Sequence, residues 1–294
     1  MKAINLLLGI VLVSGVIGCS ETAQKPGGSG MLEADESTVS SEVVGKVLKM
    51  NFDEGTPFKA GDTLLVIDTT NLQLQLAAAL ASRNAASAQL ETAQLQVKKA
   101  SETESYAQTE RNRVATLLKS GTSTQQKLDQ LDHDLAQAKL TRQTAQANVT
   151  ALNAQLTKID ADINLIRQQL DDCFPIAPIP GIVTDKYIDK GEFLAPGKAI
   201  AKISRLDSLW VKVYLPAGQF ANIKLGDSAT VNTESGGKKY VGRVVWTSDE
   251  AEFTPKNVQT EESRANLVYA VKVRMANSDG SLKIGMPVFV TIGE

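Results

Sequence analysis

The single histidine of this 294-residue chain, His133, lies between Asp132 and Asp134, a triplet that could ligate a metal or polarise a nucleophile. One imidazole supplies neither a usual zinc set nor a Ser-His-Asp triad with any partner the sequence offers, so His133 reads as a solvated helix position. Gly191 followed by Gly197-Lys198 resembles a phosphate-binding loop. The spacing is one residue too long, however, and Ala199 lacks the hydroxyl that would hold magnesium. Met31, Met50, Met275 and Met286 are scattered, which gives copper handling no support. No enzyme motif survives, and neither a metal nor a cofactor is expected.

The chemistry that does stand out is at the N-terminus. Lys2 precedes an apolar stretch from Ile4 to Ile17, too short for a comfortable membrane span and suited to a signal peptide over residues 1–18. Val16-Ile17-Gly18-Cys19 resembles the lipobox of bacterial lipoproteins, in which the cysteine is acylated after cleavage before it. Cys19 is thus the expected lipidation site; an ordinary cleavable signal with an incidental cysteine is the alternative. Each buried methylene contributes about 0.8 kcal/mol, so a multiply acylated cysteine would hold a soluble body on a bilayer. Cys173, the only other cysteine, is expected to be a small buried apolar side chain without a disulfide. A net charge of -2 with interspersed signs offers no one-signed patch for nucleic acid.

Five further segments must position whatever this envelope protein does. Residues 19–37, with Pro26-Gly27-Gly28-Ser29-Gly30, have the composition of a flexible tether. Residues 38–70 and 173–205 are β-rich and repeat each other at one constant offset: Gly45, Val47, Gly55, Phe58, Gly61, Leu64 and Ile67 recur as Gly181, Val183, Gly191, Leu194, Gly197, Ile200 and Ile203. Neither copy is large enough to bury a core alone, so the two are expected to close as one sandwich. Between them, residues 71–172 are helical. Leu128, Leu131, Leu135, Ala138, Ala145, Val149, Leu152, Leu156, Ile159, Ile163, Ile166 and Leu170 form a heptad seam broken only by Arg142. A first arm from Leu76 to Leu118 keeps the spacing, but Arg83, Glu104 and Arg111 fall on its seam. Two such arms around Ser120-Gly121-Thr122-Ser123, with a tip near 119–124, predict an antiparallel coiled-coil hairpin. Each arm reaches roughly 75 Å at 1.5 Å per residue. In residues 206–294, alternation at Leu209–Leu215, Leu267–Val273 and Met286–Ile292 predicts a small antiparallel β-barrel, with a short helix over 217–223. The fold class is therefore α+β and elongated: a small β-sandwich split by a long antiparallel coiled-coil hairpin, then a small antiparallel β-barrel.

This order resembles the HlyD-type membrane fusion proteins, or periplasmic adaptor subunits, and the resemblance implies that the split sandwich is a lipoyl-like domain. The matching residues are Gly55-Thr56-Pro57-Phe58-Lys59-Ala60-Gly61-Asp62, Ile176-Ala177-Pro178 with Gly181-Ile182-Val183, and, in the barrel, Asn266 to Val273 and Gly285-Met286-Pro287. The family's hairpin tip carries an Arg, a Leu and a Ser, to which Arg113, Leu117 and Thr124 are similar; Asp129 follows as expected, whereas Leu131 replaces a small residue. The resemblance implies a channel-docking tip, a TolC-like outer-membrane channel, an inner-membrane transporter and a homo-oligomeric ring. The barrel segments, and a chain that adds little outside the barrel, favour an ABC-type exporter over an RND pump. It also implies a periplasmic, non-catalytic efflux or secretion protein, lipid-anchored through Cys19, with the inner membrane favoured. Arg113 as a solvated heptad flank and Leu117 as a last core knob is the competing account of the tip. Two other functions are weighed: a biotin or lipoate carrier and a plain coiled-coil envelope spacer. A carrier needs its Lys on the loop joining the half motifs, where the helical block stands instead. Lys49 lies inside the first half motif and reads as an outward strand residue.

Overall fold

The computed structural model describes residues 25–233, 238–253 and 267–293. The chain forms two compact units, one spanning Glu36–Ser204 and one combining the residues up to Asp35 with those from Arg205 onward.

In the first unit the sequence repeat becomes a strand exchange. The first copy supplies β2 (Gly45–Met50), β3 (Pro57–Phe58) and β4 (Leu65–Ile67); the second supplies β5 (Gly181–Lys186), β6 (Phe193–Leu194) and the start of β7 (Ala199–Pro216). Within each copy the first strand pairs with the third, β2 with β4 and β5 with β7. Between copies, Gly45 pairs with Leu194 and, 136 positions later on one side and earlier on the other, Gly181 pairs with Phe58. The same symmetry holds in the turns: Gly55 N–H donates to Val183 O at 2.8 Å and Gly191 N–H to Val47 O at 3.0 Å. Val47, Leu64, Leu65, Ile67, Cys173, Val183, Leu194, Ile200 and Ile203 are buried between the copies. Each half is completed by the other, as a repeat too small for its own core requires.

The hairpin leaves this sandwich between β4 and β5. It consists of α1 (Thr70–Lys119) and α2 (Gln125–Asp171). Asp68 prepares its entry, its carboxylate accepting from Thr70 N–H at 2.9 Å and from the Thr70 hydroxyl at 2.7 Å. That pairing lowers the Asp68 pKa. Small and branched residues are buried along the seam: Ala86, Ala93 and Ala100, seven residues apart, on α1, and Ala138, Val149 and Ile163 on α2. The polar breaks of the seam face opposite charges on the other arm. Arg83 pairs with Asp160 at 2.6 Å, Arg111 with Asp132 at 2.7 Å and Arg142 with Glu104 at 2.5 Å. These bonds sit at successive levels and fix the antiparallel register, which apolar seams alone specify weakly.

Their energetic weights should differ with burial. Glu104 is 19% exposed against 46% for Asp160. Arg142→Ala therefore leaves a half-buried carboxylate without its cation and is expected to cost about 1–3 kcal/mol. Arg83→Ala is expected to cost under about 1 kcal/mol, as solvent takes the place of an exposed partner. Urea unfolding followed by the helical signal orders the two variants; equal losses would mean that burial does not set the strength of these pairs.

The second unit is a closed barrel. Its strands are the first part of β1 (Gly27–Ser40), the second part of β7, β8 (Ser228–Thr233), β9 (Lys239–Thr247), β11 (Leu267–Ala276) and β12 (Pro287–Ile292). They follow the circuit β1-β12-β8-β9-β11-β7, closed because β7 pairs with β11 and neighbours β1. A short β10 (Glu252–Phe253) adds to the start of β11, and α3 is a single turn, Ala217–Phe220, shorter than the helix expected over 217–223. Leu32, Leu209, Val211, Val213, Leu215, Val231, Val273, Val290 and Ile292 fill the interior.

The expectation of a flexible tether through residue 37 does not hold from Gly27 on. That segment is a barrel strand, with Gly27 opposite Thr291 and Met31 opposite Pro287, and the barrel thus draws a strand from outside residues 206–294. The glycines that suggest flexibility serve close packing. A Cβ on Gly30 would stand 2.5 Å from Lys212 O and 2.6 Å from Val211 Cγ2, and one on Gly27 2.7 Å from Val290 O. Glycine is the residue for a strand that another backbone approaches this closely.

Candidate functional site

The end of the hairpin is built by capping. Helix α1 stops as Gly121 takes φ 78°, a left-handed turn that favours glycine. Leu117 O then becomes the acceptor on which the turn closes, receiving Thr122 N–H at 2.9 Å, the Ser120 hydroxyl at 2.9 Å and the Thr122 hydroxyl at 3.1 Å. Thr124 restarts the chain as the N-cap of α2, its hydroxyl accepting from Lys127 N–H at 3.3 Å. Gln125 donates to Asp129 at 2.7 Å one turn into α2.

Within this frame Arg113 and Leu117 lie four residues apart and so share one face of α1. Leu117 is 41% exposed, whereas Val114, Leu118 and Leu128 are partly buried. It is therefore off the seam and not the last core knob. The Arg113 side chain is 65% exposed and touches Glu110 at 2.9 Å. An ion pair that open holds the guanidinium weakly, leaving its donors free for an incoming acceptor. Thr124 is exposed, but its hydroxyl already has work as a cap. The structure thus brings Arg113 and Leu117 together as an outward pair and sets Thr124 across the turn with a structural task of its own. The Ser120 and Thr122 hydroxyls, which sequence reasoning passed over, complete the polar rim; their signal was the Ser-Gly-Thr-Ser run itself.

Elsewhere the decoys resolve structurally. His133 is exposed on α2, and Lys49 is exposed on β2. The Lys198 ammonium pairs with Glu192 at 2.7 Å beside a turn at Gly197, φ 84°. Cys173 is fully buried, and burial pushes its thiol up. Cys19 lies outside the described residues. Among the described residues no helix is long and apolar enough to cross a membrane.

A lipoyl-type sandwich that a coiled-coil hairpin splits, joined to a six-stranded barrel, defines the architecture of the periplasmic adaptor class. Residues 35–204 match the family model described as "RND MFP, barrel-sandwich hybrid domain", and the chain belongs to this family of membrane fusion proteins. It is 37% identical over 146 residues to a UPF0194 membrane protein of Acidithiobacillus ferridurans, across 49% of this chain but only 43% of that relative. It is 27% identical over 286 residues to the UPF0194 membrane protein YbhG of Salmonella gallinarum, across 89% of this chain and 86% of the relative. In fold it is similar to the crystal structure of MacA from Actinobacillus actinomycetemcomitans, with a TM-score of 0.63 at 21% identity over 92% of this chain and 79% of the other. Family members are structural adaptors, and the fold read from the sequence is the one found.

Proposed function

We propose that this chain is the adaptor subunit of a tripartite efflux or secretion system, joining an inner-membrane transporter of the ABC type to a TolC-like outer-membrane channel. Acylated Cys19 holds the base at the inner membrane, several copies form a ring, and the hairpins reach the channel end-on. The observation that carries this reading is the tip: an exposed guanidinium and an exposed leucine, one turn apart on one face, are surplus to the packing of the hairpin. That pair suits docking against another helical end through charge-assisted hydrogen bonds and modest apolar burial. The barrel resemblance at Asn266 to Val273 and Gly285-Met286-Pro287 favours an ABC exporter, while the family description carries the name RND. The partner's identity therefore has to come from capture.

In-cell photo-crosslinking from probes at Leu117 and Thr124, with the exposed mid-hairpin position Gln94 as control, tests the docking role. A channel protein captured from the tip and not from Gln94 is the expected result. Efficient probe incorporation with no channel captured would instead make this a coiled-coil spacer of the envelope. A probe on the barrel at Tyr269 should capture an ABC-type permease; an RND pump captured there would overturn the transporter assignment alone.

A further inference from the structure

Both tryptophans of the chain stand on one outer face of the barrel. On β7, Trp210 and Lys212 point outward between buried Leu209, Val211 and Val213. Strand β11 sets Arg274 opposite Trp210 and Lys272 opposite Lys212. Strand β9 sets Trp246 beside Lys272 and Arg243 beside Arg274, and a register shift there leaves Val245 and Trp246 both exposed.

Two lysines directly opposite each other on a sheet repel. Among the described residues neither meets a carboxylate in an ion pair, and neither does Arg243. Each ammonium lies over an indole instead: Lys272 Nζ is 3.6 Å from the Trp210 ring centroid, and Lys212 Nζ is 5.8 Å from that of Trp246. Arg274 is neutralised by a bidentate bond to Asp35, at 2.8 and 3.2 Å, which holds that carboxyl below its ordinary value. The adjoining β1 adds Glu33 and the 60% exposed Met31. Asp35 also feels Lys272 and Arg205, and Arg274 feels Asp207, so five cations (Lys212, Lys272, Arg243, Arg274 and Arg205) stand against three carboxylates (Glu33, Asp35 and Asp207); in a chain of net charge -2 this is a local basic surface built around two large rings.

We infer that this face of the barrel rests on the headgroup layer of a bilayer containing anionic phospholipid. The exposed Trp246 indole favours that layer because one edge is polar and the rest apolar, whereas Trp210 is half-buried with its indole N–H shut off from solvent and serves as the ring over which Lys272 lies; lysine stems lie along apolar surface while their charges reach the phosphates. An acidic protein surface would match the charge but gives no reason for both tryptophans and an exposed methionine to accompany it. Distance agrees. The barrel begins at Gly27, eight positions after Cys19, and eight extended residues span at most about 28 Å. This last step rests on the proposed acylation of Cys19; the charge and ring arrangement does not.

The test uses the full-length protein, purified from membranes and reconstituted with vesicles of phosphatidylcholine alone or of phosphatidylcholine with phosphatidylglycerol, with bromine on the acyl chains near the headgroups. Flotation with the neutral vesicles reads the anchor, and quenching of the two tryptophans reads the face. Quenching that needs phosphatidylglycerol, fades as salt is raised and reports a bound-to-free ratio of the face lowered roughly fivefold per lysine removed is the expected result. Lys212→Gln with Lys272→Gln supplies the variant, its unchanged melting curve showing that the barrel is intact; Trp210→Phe and Trp246→Phe assign the signal. Equal quenching in both vesicles, or none in either, overturns the inference even where flotation upholds the anchor. Capture and quenching by phosphatidylglycerol vesicles without flotation on the neutral ones would uphold the face and remove the anchor. Flotation without quenching, joined to a crosslink from Lys212 to an acidic periplasmic segment of a transporter, would assign the face to a protein partner.

Discussion

Arg113→Asp combined with Leu117→Asp is expected to remove export, read as failure to complement the phenotype of a strain lacking this chain, while the protein stays folded and at its normal level. The two side chains are 65% and 41% exposed and contribute nothing to the seam, so their loss creates no cavity. The substitutions do have local costs. The carboxylate that replaces the Arg113 guanidinium would stand one turn from Glu110 and one turn from the carboxylate at position 117, like-charge pairs of about 0.2–0.5 kcal/mol each, and the carboxylate at 117 lies in the last turn of α1, where the helix dipole disfavours negative charge by about 0.3–1 kcal/mol. The summed penalty of roughly 1–2 kcal/mol lowers the melting midpoint of a chain this long by a few degrees. It does not unfold the hairpin. The neutral pair Arg113→Gln and Leu117→Gln separates the two causes, because it spares the dipole and still deletes the guanidinium and the apolar knob. Complementation should fail in both pairs, and the crosslink from Thr124 to the channel should disappear with it. Full complementation by both would end the docking role of the tip and leave the envelope spacer.

The hairpin shows how far periodicity reads and where it stops. Seven-residue spacing of apolar side chains is a one-dimensional property, and it located both helices and the turn between them. Taken one arm at a time, Arg83, Glu104, Arg111 and Arg142 interrupt that pattern. Across the hairpin Arg142 meets Glu104, and Arg111 meets Asp132. The complement of a polar seam residue lies some 20 to 80 positions away, on an arm whose register the sequence leaves open. Leu117 presents the converse case. A leucine next to the seam position Leu118 has the composition of a core residue, and only the helical phase in the structure shows it facing out.

The barrel was legible in its C-terminal strands and hidden in its first. Leu209 to Leu215 and Val288 to Ile292 alternate plainly, but Gly27-Gly28-Ser29-Gly30 has the composition of a linker. Close backbone approach and flexibility call for the same residue, so composition does not tell a glycine packed 2.5 Å from a carbonyl from one in open solvent. The paired tryptophans were silent for a related reason. Trp210, Lys212, Trp246 and Lys272 come from three strands and become neighbours only through the pairing of β7 with β11 and of β11 with β9.

The repeat, by contrast, states a three-dimensional relation in one dimension, and its largest energetic consequence is a matched pair of losses. Ile67 and Ile203 hold equivalent places in the two copies, and both are fully buried in the same cluster. Truncating either to Ala removes three methyl or methylene groups from a core that neither copy can form alone, at an expected cost of about 2–5 kcal/mol. Because the strands are exchanged, β2 with β6 and β3 with β5, the damage does not stay in the copy that carries the substitution. Ile67→Ala and Ile203→Ala should therefore give the same loss within about 1 kcal/mol, and the double variant should depart from the sum of the two, as substitutions in one shared core do. Denaturant unfolding of the three variants measures this directly. Strictly additive losses of clearly unequal size would mean two independent half cores, contrary to the pairing by which each copy completes the other. A double variant that no longer folds would have to be approached through Ile67→Val with Ile203→Val, whose single losses of about 0.5–1.5 kcal/mol keep the cycle within the measurable range.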